Sequence, residues 1–179
     1  LHLLGSHQTY RNRYPAEKAF FHPKDYSDSF SQEEAAAILS EYDNSVRYTD
    51  EVLGEVLRQL EKQPGSALLF VSDHGERLYS DGTGDWGHGF PEPKRIEFEI
   101  PYFLWCNGDC PRRLKRAHSR NRNLVFSSEN LFHSAANLLG LKMKEYQAQH
   151  DILSPKYLPV REPKIIDVNR GIHPYFSLP

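Results

Sequence analysis

The clearest periodic pattern in the chain is an amphipathic helix over residues 33–62. Its apolar positions recur at spacings of three, four and seven: Ile38, Leu39, Tyr42, Val46, Leu53, Val56, Leu57 and Leu60. Charged residues occupy the opposite face, and Pro64-Gly65 ends the pattern. Ser31 precedes two acidic residues and is expected to cap the N-terminus. The spacing predicts a long helix with one face packed on a core.

Three apolar runs are typical of strands. They cover residues 1–4, 67–71 and 100–106, and the run over residues 67–71 shows no alternation with polar positions. Absence of alternation favours strands that are buried on both faces of a parallel sheet. Because a strand, a long helix and a second strand follow in order, the pattern predicts a βαβ unit.

The remainder of the chain alternates short elements with long loops. A second helix is expected from residue 127 to about residue 139, and a short strand over residues 164–168. Residues 8–30 and 75–95 show neither the helical period nor the alternation of a strand. Loops of that length in a compact domain are usually functional. Together these elements predict one α/β domain over residues 1–179, with a mostly parallel sheet flanked by helices.

The composition fits a domain of ordinary size and excludes several classes of protein. The chain has 179 residues, of which 39% are hydrophobic and 26% charged, and a formal net charge of −2. This balance argues against a nucleic-acid binder that depends on bulk basicity. Two cysteines are too few for a disulfide scaffold or a four-thiolate zinc site. The chain begins at Leu1 inside an apolar run, so we interpret it as incomplete at the N-terminus.

Candidate metal ligands follow the predicted strands, where open parallel sheets place their ligands. His7 follows the first apolar run, Asp73 and His74 follow the second, and His88 lies between two glycines on the next loop. Carboxylate oxygen and imidazole nitrogen are the ligands of a catalytic zinc or a similar ion. A turn at Gly75 would let Asp73 and His74 face one ion. The alternative is that Asp73 caps the next turn and His74 is an ordinary polar residue.

Other chemical signals are weaker. The chain contains no Gly-x-Ser-x-Gly elbow, no P-loop and no Gly-x-Gly-x-x-Gly motif. The spacing of Cys106 and Cys110 is compatible with a small disulfide loop or with no bond. The basic stretch over residues 112–122 is interpreted as a solvated loop. The alternative is a site for an anionic headgroup, a sugar phosphate or an anionic membrane surface.

A set of motifs in fixed order resembles the phosphoethanolamine transferases, which belong to the alkaline phosphatase and sulfatase superfamily. The motifs occupy residues 1–7, 13–15, 42–45, 72–76, 88–89, 101–105 and 129–133. The resemblance implies an alkaline phosphatase/sulfatase-like fold, and it makes this chain the C-terminal part of the catalytic domain. It also implies that Asp73 and His74 ligate the catalytic zinc. His7 and His88 would bind the phosphate of the phosphoethanolamine group or a second zinc ion.

The resemblance further implies a reaction and a location. The reaction is zinc-dependent transfer of phosphoethanolamine from phosphatidylethanolamine to a cell-envelope acceptor, such as lipid A, a core sugar or a glucan, through a threonine ester. That threonine and a further acidic ligand belong upstream of residues 1–4, so this chain alone is expected to be inactive. The expected location is the periplasmic face of the bacterial inner membrane, reached through a membrane segment absent from this chain, and no nucleic-acid partner is expected.

Two alternatives remain open. A sulfatase or phosphoglycerol transferase of the same superfamily would use the same Asp-His pair. A sulfatase also needs a Cys/Ser-x-Pro-x-Arg segment, and residues 110–113 do not match that spacing. An alternative of a different class is a non-catalytic domain that binds a metal or an anionic glycan.

Overall fold

The computed structural model of the protein describes residues 1–26, 33–79, 84–108 and 111–179. Its helices are α1 (Glu33–Leu60), α2 (Arg112–Asn121) and α3 (Glu129–Leu138). Its strands are β1 (Ala67–Val71), β2 (Arg77–Leu78), β3 (Trp86–Gly87), β4 (Tyr102–Cys106), β5 (Lys164–Ile166) and β6 (Ile172–Pro174). The chain forms two compact units: unit 1 contains Leu1–Lys62 and Arg77–Gly87, and unit 2 contains Gln63–Glu76 and His88–Pro179.

Unit 1 is organised around the long helix that the sequence predicts. α1 runs over 28 residues and buries a face that begins with small residues, Ala35 and Ala36, followed by Leu39. The expected cap, Ser31, lies outside the described residues. No helix in the part of the chain that the structure describes is both long and apolar enough to cross a membrane.

The loop before α1 is held against the helix by the buried side chain of Asn44. Its Oδ1 accepts hydrogen bonds from the backbone N–H groups of Phe20 and Phe21, at 2.7 and 2.9 Å. Its Nδ2 donates to the carbonyl of Phe21 at 2.8 Å. Earlier in the loop, the buried ring of Tyr10 packs edge-on against Tyr42, with centroids 5.2 Å apart. One polar residue of α1 therefore fixes the backbone of a loop that contains only short 3-10 helices.

In unit 2, the structure corrects the predicted direction of the strands. β1 pairs with β4 antiparallel, with Ala67 opposite Cys106 and Val71 opposite Tyr102. The β2–β3 pair of unit 1 and the β5–β6 pair of unit 2 are antiparallel as well. An unbroken apolar run indicates burial on both faces but carries no information on direction. The chain returns from β1 to β4 through a loop that starts and ends at the same edge, which produces an antiparallel pair.

The first predicted strand is wrong. Residues 1–4 have no strand structure, and Leu1 and Leu4 are 93% and 63% exposed. The predicted βαβ unit is therefore absent from the described residues. A strand requires a hydrogen-bonded neighbour, and an apolar run alone does not supply one.

The basic stretch is a helix and not the predicted solvated loop. α2 buries Leu114, Ala117 and Asn121, which are spaced three and four residues apart along one side. Only two of these residues are apolar, so a hydrophobic period is not visible in the sequence. Leu114 packs against Leu153 in the core of unit 2, and the Asn121 Nδ2 donates to the carbonyl of Ile152 at 2.7 Å.

The second predicted helix and the short predicted strand are present in unit 2, whereas β6 was not predicted. α3 and β5 lie within the predicted helix and strand. At the N-terminus of α3, the Oδ1 of Asn130 accepts a hydrogen bond from the backbone N–H of Ser127 at 2.9 Å. Cys106 is disulfide-bonded, and no cysteine among the described residues is free.

Replacing Asn44 with alanine should destabilise unit 1. The substitution removes three hydrogen bonds to the backbone of the loop and a fourth to the hydroxyl of Tyr14. Because these groups lose their partner, we expect the free energy of unfolding to fall by about 2 kcal/mol. Urea denaturation measures the change. The matched control is Asn123→Ala at an exposed position, which should change stability by less than about 0.5 kcal/mol. Equal stabilities for the two variants would contradict the anchoring role.

Candidate metal centre

Three potential metal ligands, His74, Glu76 and His88, come together in unit 2. One ligand atom from each lies within 4.8 Å of the other two. Glu76 is buried and both histidines are partly buried. The two imidazole rings are in close contact, with centroids 3.7 Å apart and planes tilted by 33° to one another. Residues separated by fourteen positions in the sequence therefore present nitrogen and oxygen atoms to one small volume.

The turn that places His74 depends on the absence of a side chain at Gly75. The Gly75 N–H donates to the carbonyl of Glu97 at 2.7 Å. A Cβ at Gly75 would lie 2.1 Å from the carbonyl oxygen of Ile96, far inside contact distance. Only glycine permits this approach of the two backbones. The sequence-based expectation of a sharp turn after β1 thus has a specific steric reason.

Glu97 also holds the segment that contains the second clustered histidine, His88. The side chain of Glu97 is buried, with the Oε1 accepting from the backbone N–H of Gly89 at 3.0 Å and the Oε2 from that of Lys94 at 2.9 Å. The backbone of Glu97 therefore binds the segment of His74, and its carboxylate binds the segment of His88. Sequence reasoning did not identify Glu97, because an isolated acidic residue in a loop carries no recognisable pattern.

Hydrogen bonds assign the tautomers of the two clustered histidines. The Nδ1 of His74 lies 3.0 Å from the carbonyl oxygen of Gly75, which can only accept a hydrogen bond. The Nδ1 of His88 lies 2.9 Å from the Oε1 of Glu76. Each Nδ1 is thus assigned the proton, which leaves the lone pair on Nε2. A carbonyl or carboxylate partner at one ring nitrogen is the arrangement found in metal-ligating histidines.

Asp73 lies beside the cluster and is exposed. Its Oδ2 is 3.9 Å from the Nε2 of His74, and its side chain is 84% exposed. Zinc bonds of about 2.1 Å at tetrahedral angles place two ligand atoms about 3.4 Å apart. The observed separation of 3.9 Å is about 0.5 Å longer than this. The structure therefore brings the predicted pair, Asp73 and His74, close to the spacing that one ion requires.

The other two predicted site residues have different surroundings. His88 belongs to the cluster, whereas His7 lies in unit 1 and is not one of the three grouped residues. The Nδ1 of His7 is 2.6 Å from the carbonyl oxygen of Gln8, and Arg13 donates to the carbonyl of His7 at 2.8 Å. Glu76 was missed as a site residue, although its position two residues after His74 was the available signal.

A cleft of about 140 Å³ adjoins the two histidines. Phe90 and Phe98 line it together with Asp167, which follows β5. A hydrogen bond from the Nε2 of His173 (2.7 Å) and bonds from the backbone N–H groups of Gly171 and Asn169 lower the pKa of Asp167. The carboxylate at the edge of the cleft is therefore ionised at neutral pH.

Comparison with known proteins shows the same likeness that the motifs indicate. A protein-family model described as Sulfatase matches residues 1–141. Phosphoethanolamine transferase EptA of Salmonella typhimurium is 30% identical over 165 residues, which cover 87% of this chain and 30% of the relative. The chain thus spans less than a third of the length of this curated relative.

Solved structures share the fold. The C-terminal periplasmic domain of EptC from Escherichia coli superposes with a TM-score of 0.84 at 24% identity, covering 99% of this chain and 52% of that domain. The same domain in complex with Zn gives a TM-score of 0.82. The corresponding domain of EptC from Campylobacter jejuni is 31% identical, with a TM-score of 0.71 over 89% of this chain and 52% of the other. The predicted sulfatase-like α/β fold and the resemblance to phosphoethanolamine transferases are confirmed.

Replacing Gly75 with alanine should destabilise unit 2. The new methyl group would collide with the carbonyl of Ile96, and relief of the collision would break the Gly75–Glu97 hydrogen bond. We expect the free energy of unfolding, measured in urea, to fall by about 2–3 kcal/mol.

The matched control for this substitution is Gly54→Ala in α1. The nearest atom to a Cβ at Gly54 is the Nη1 of Arg58, at 3.7 Å. Alanine has a better helix propensity than glycine, so this control should gain about 0.5–1 kcal/mol. A Gly75→Ala variant as stable as the unmodified chain would refute the steric role of Gly75.

Proposed function

The chain belongs to the sulfatase family, and on that premise we propose that it forms part of a zinc-dependent phosphoethanolamine transferase. The observation that carries the proposal is the clustering of His74, Glu76 and His88 beside Asp73, in a chain whose curated relatives bear that name. The proposed reaction moves phosphoethanolamine from phosphatidylethanolamine to a cell-envelope acceptor such as lipid A, a core sugar or a glucan.

In this proposal Asp73 and His74 hold the zinc ion. One carboxylate oxygen and one imidazole nitrogen suit zinc, and the Gly75 carbonyl fixes the His74 ring with its Nε2 lone pair towards the ion. The bound ion would neutralise charge on the phosphoryl oxygens and make a bound hydroxyl more acidic. His7 is proposed to bind the phosphate.

His88 and Glu76 are proposed to handle the proton and the phosphoryl charge. The Nε2 lone pair of His88 can accept the proton of an attacking hydroxyl group, after which the ring is an imidazolium ion. Glu76, at 2.9 Å from the Nδ1, holds the ring in this orientation and stabilises its positive charge. The protonated Nε2 can then donate a hydrogen bond to a phosphoryl oxygen or return the proton to a leaving oxygen.

The cleft beside the histidines supports a substrate with a positive charge. Its ionised Asp167 and the rings of Phe90 and Phe98 suit an ammonium group, which binds carboxylates and aromatic faces. Phosphoethanolamine carries an ammonium group, whereas phosphoglycerol has none and a sulfate ester need not contain one. This difference favours the transferase over the other activities of the superfamily.

The disulfide of Cys106 supports a location outside the cytoplasm. Stable disulfides form in oxidising compartments such as the bacterial periplasm. The solved relatives are described as periplasmic domains, and one as an integral membrane protein. We therefore propose that this chain acts at the periplasmic face of the inner membrane.

Zinc affinity tests the proposed ligands. Asp73→Ala and His74→Ala each remove one ligand atom, so we expect each to weaken zinc binding by at least about 10-fold in isothermal titration calorimetry. The control is His150→Ala, which removes an exposed histidine of unit 2 outside the cluster and should leave the affinity unchanged. Zinc binding that is unaltered in both ligand variants would exclude this metal site.

The reaction is tested with the complete reading frame that encodes this chain. Expressed in a host without its own phosphoethanolamine transferases, it should add phosphoethanolamine to lipid A or another envelope glycan, as read by mass spectrometry. His88→Ala and Glu76→Gln should each lower the product by about 10² or more, because they remove the proton acceptor and the charge that supports it.

The control for the reaction is Glu145→Gln, the same change at an exposed position. Zinc affinity distinguishes the role of Glu76: an orienting residue leaves it within a few-fold in Glu76→Gln, whereas a direct ligand loses it. Hydrolysis of a sulfate ester without any phosphoethanolamine product would instead identify a sulfatase. Zinc binding without either reaction would identify the non-catalytic binding domain.

A further inference from the structure

Unit 2 has a surface on which basic and large apolar side chains are exposed together. It consists of the outer side of α2 and residues 139–144, and we call it the basic face. Arg112, Lys115 and Arg116 are exposed on α2, opposite the buried residues of that helix. One groove is lined by Pro111 and Leu114 at the start of α2 and by Leu139 and Gly140, so the first turn of α2 lies next to the start of residues 139–144.

The positive charge of this region contrasts with the rest of the protein. Residues 111–144 contain eight basic residues and one acidic residue, a formal charge of +7 in a chain whose net charge is −2. Arg112, Arg116, Lys142 and Lys144 have no carboxylate partner among the residues that the structure describes. Arg120 differs, because it donates to the carbonyls of Ser154 and Pro155. The outward charges therefore have no counterpart within the described fold.

The apolar part of the basic face is produced by the way α3 ends. Gly140 has a φ of +67°, and the N–H of Leu141 donates to the carbonyl of Ala136 at 2.9 Å, as in a Schellman motif. The chain then turns outward, and Leu139, Leu141 and Met143 are 70%, 52% and 39% exposed. The exposed lysines 142 and 144 alternate with these apolar side chains.

We propose that the basic face docks on an anionic phospholipid membrane. Its arginines and lysines would lie at the lipid phosphates, while the three apolar side chains enter the boundary between headgroups and acyl chains. A nucleic acid would attract the positive charge but offers nothing to exposed leucine and methionine side chains. The basic face shares no residue with the histidine cluster. Membrane docking can therefore be refuted without affecting the proposed zinc chemistry, and the reverse is also true.

Flotation of the 179-residue chain with lipid vesicles tests the electrostatic part. The chain should bind vesicles that contain phosphatidylglycerol at least about 10-fold more tightly than pure phosphatidylcholine vesicles, and binding should weaken as salt rises from about 0.05 to 0.5 M. The double variant K115E/R116E should lose at least about 10-fold in affinity for the anionic vesicles.

The matched control is K156E/R161E, which makes the same charge change at two exposed positions outside the basic face. It should change vesicle affinity by no more than about 3-fold, since it alters only the net charge. Circular dichroism verifies the fold of both variants. If K115E/R116E does not fold, R112E at the start of α2 replaces it as the charge variant of the basic face.

The apolar part has its own variant, L139S/L141S. It should reduce the binding that persists at high salt and leave the salt dependence in place, because it removes apolar contact but no charge. Equal binding to neutral and anionic vesicles would overturn the proposal, as would equal losses in K115E/R116E and K156E/R161E. A change in self-association without a change in vesicle binding would assign the face to contacts between protein copies and would also overturn it.

Discussion

The candidate site depends on one buried residue that binds two separate segments of the chain. The backbone carbonyl of Glu97 accepts from Gly75, and its carboxylate accepts from Gly89. Each of these glycines is the direct neighbour of a clustered histidine, and Gly75 must be glycine because the carbonyl of Ile96 occupies the place of a Cβ. Hydrogen bonds from the neighbouring glycines to a single residue, Glu97, thus support the close approach of His74 and His88.

Within this frame the carboxylates have different surroundings, and these suggest different tasks. Glu76 is buried and paired with the Nδ1 of His88, which is the place of an orienting group. Asp73 is exposed and close to the Nε2 of His74, so its carboxylate could become a ligand when an ion binds there. Asp167 is ionised at the edge of the adjoining cleft, where a positive group of a substrate could lie. The cleft itself is lined by His74, His88 and Asp167, and the two other carboxylates lie beside these histidines.

The sequence predicted those features that have a local pattern. α1 has a strong helical period, β1 and β4 are apolar runs, and Asp73 and His74 directly follow a strand. Long-range hydrogen bonding decides in which direction the strands pair and whether residues 1–4 form a strand. No local sequence pattern encodes this bonding. α2 was missed because its buried side includes Asn121, and Glu97 because its role arises from contacts across loops. The motifs with their spacing carried more information about the family than any single element did.

The proposed function depends on a metal ion held by Asp73 and His74. The most direct test is an anomalous difference map, recorded at the zinc absorption edge from crystals of the zinc-loaded chain. We expect the strongest peak within about 2.2 Å of the His74 Nε2 and of an Asp73 carboxylate oxygen. A strongest peak at another histidine pair, such as His133 and His150, whose rings stack 5.5 Å apart, would contradict it.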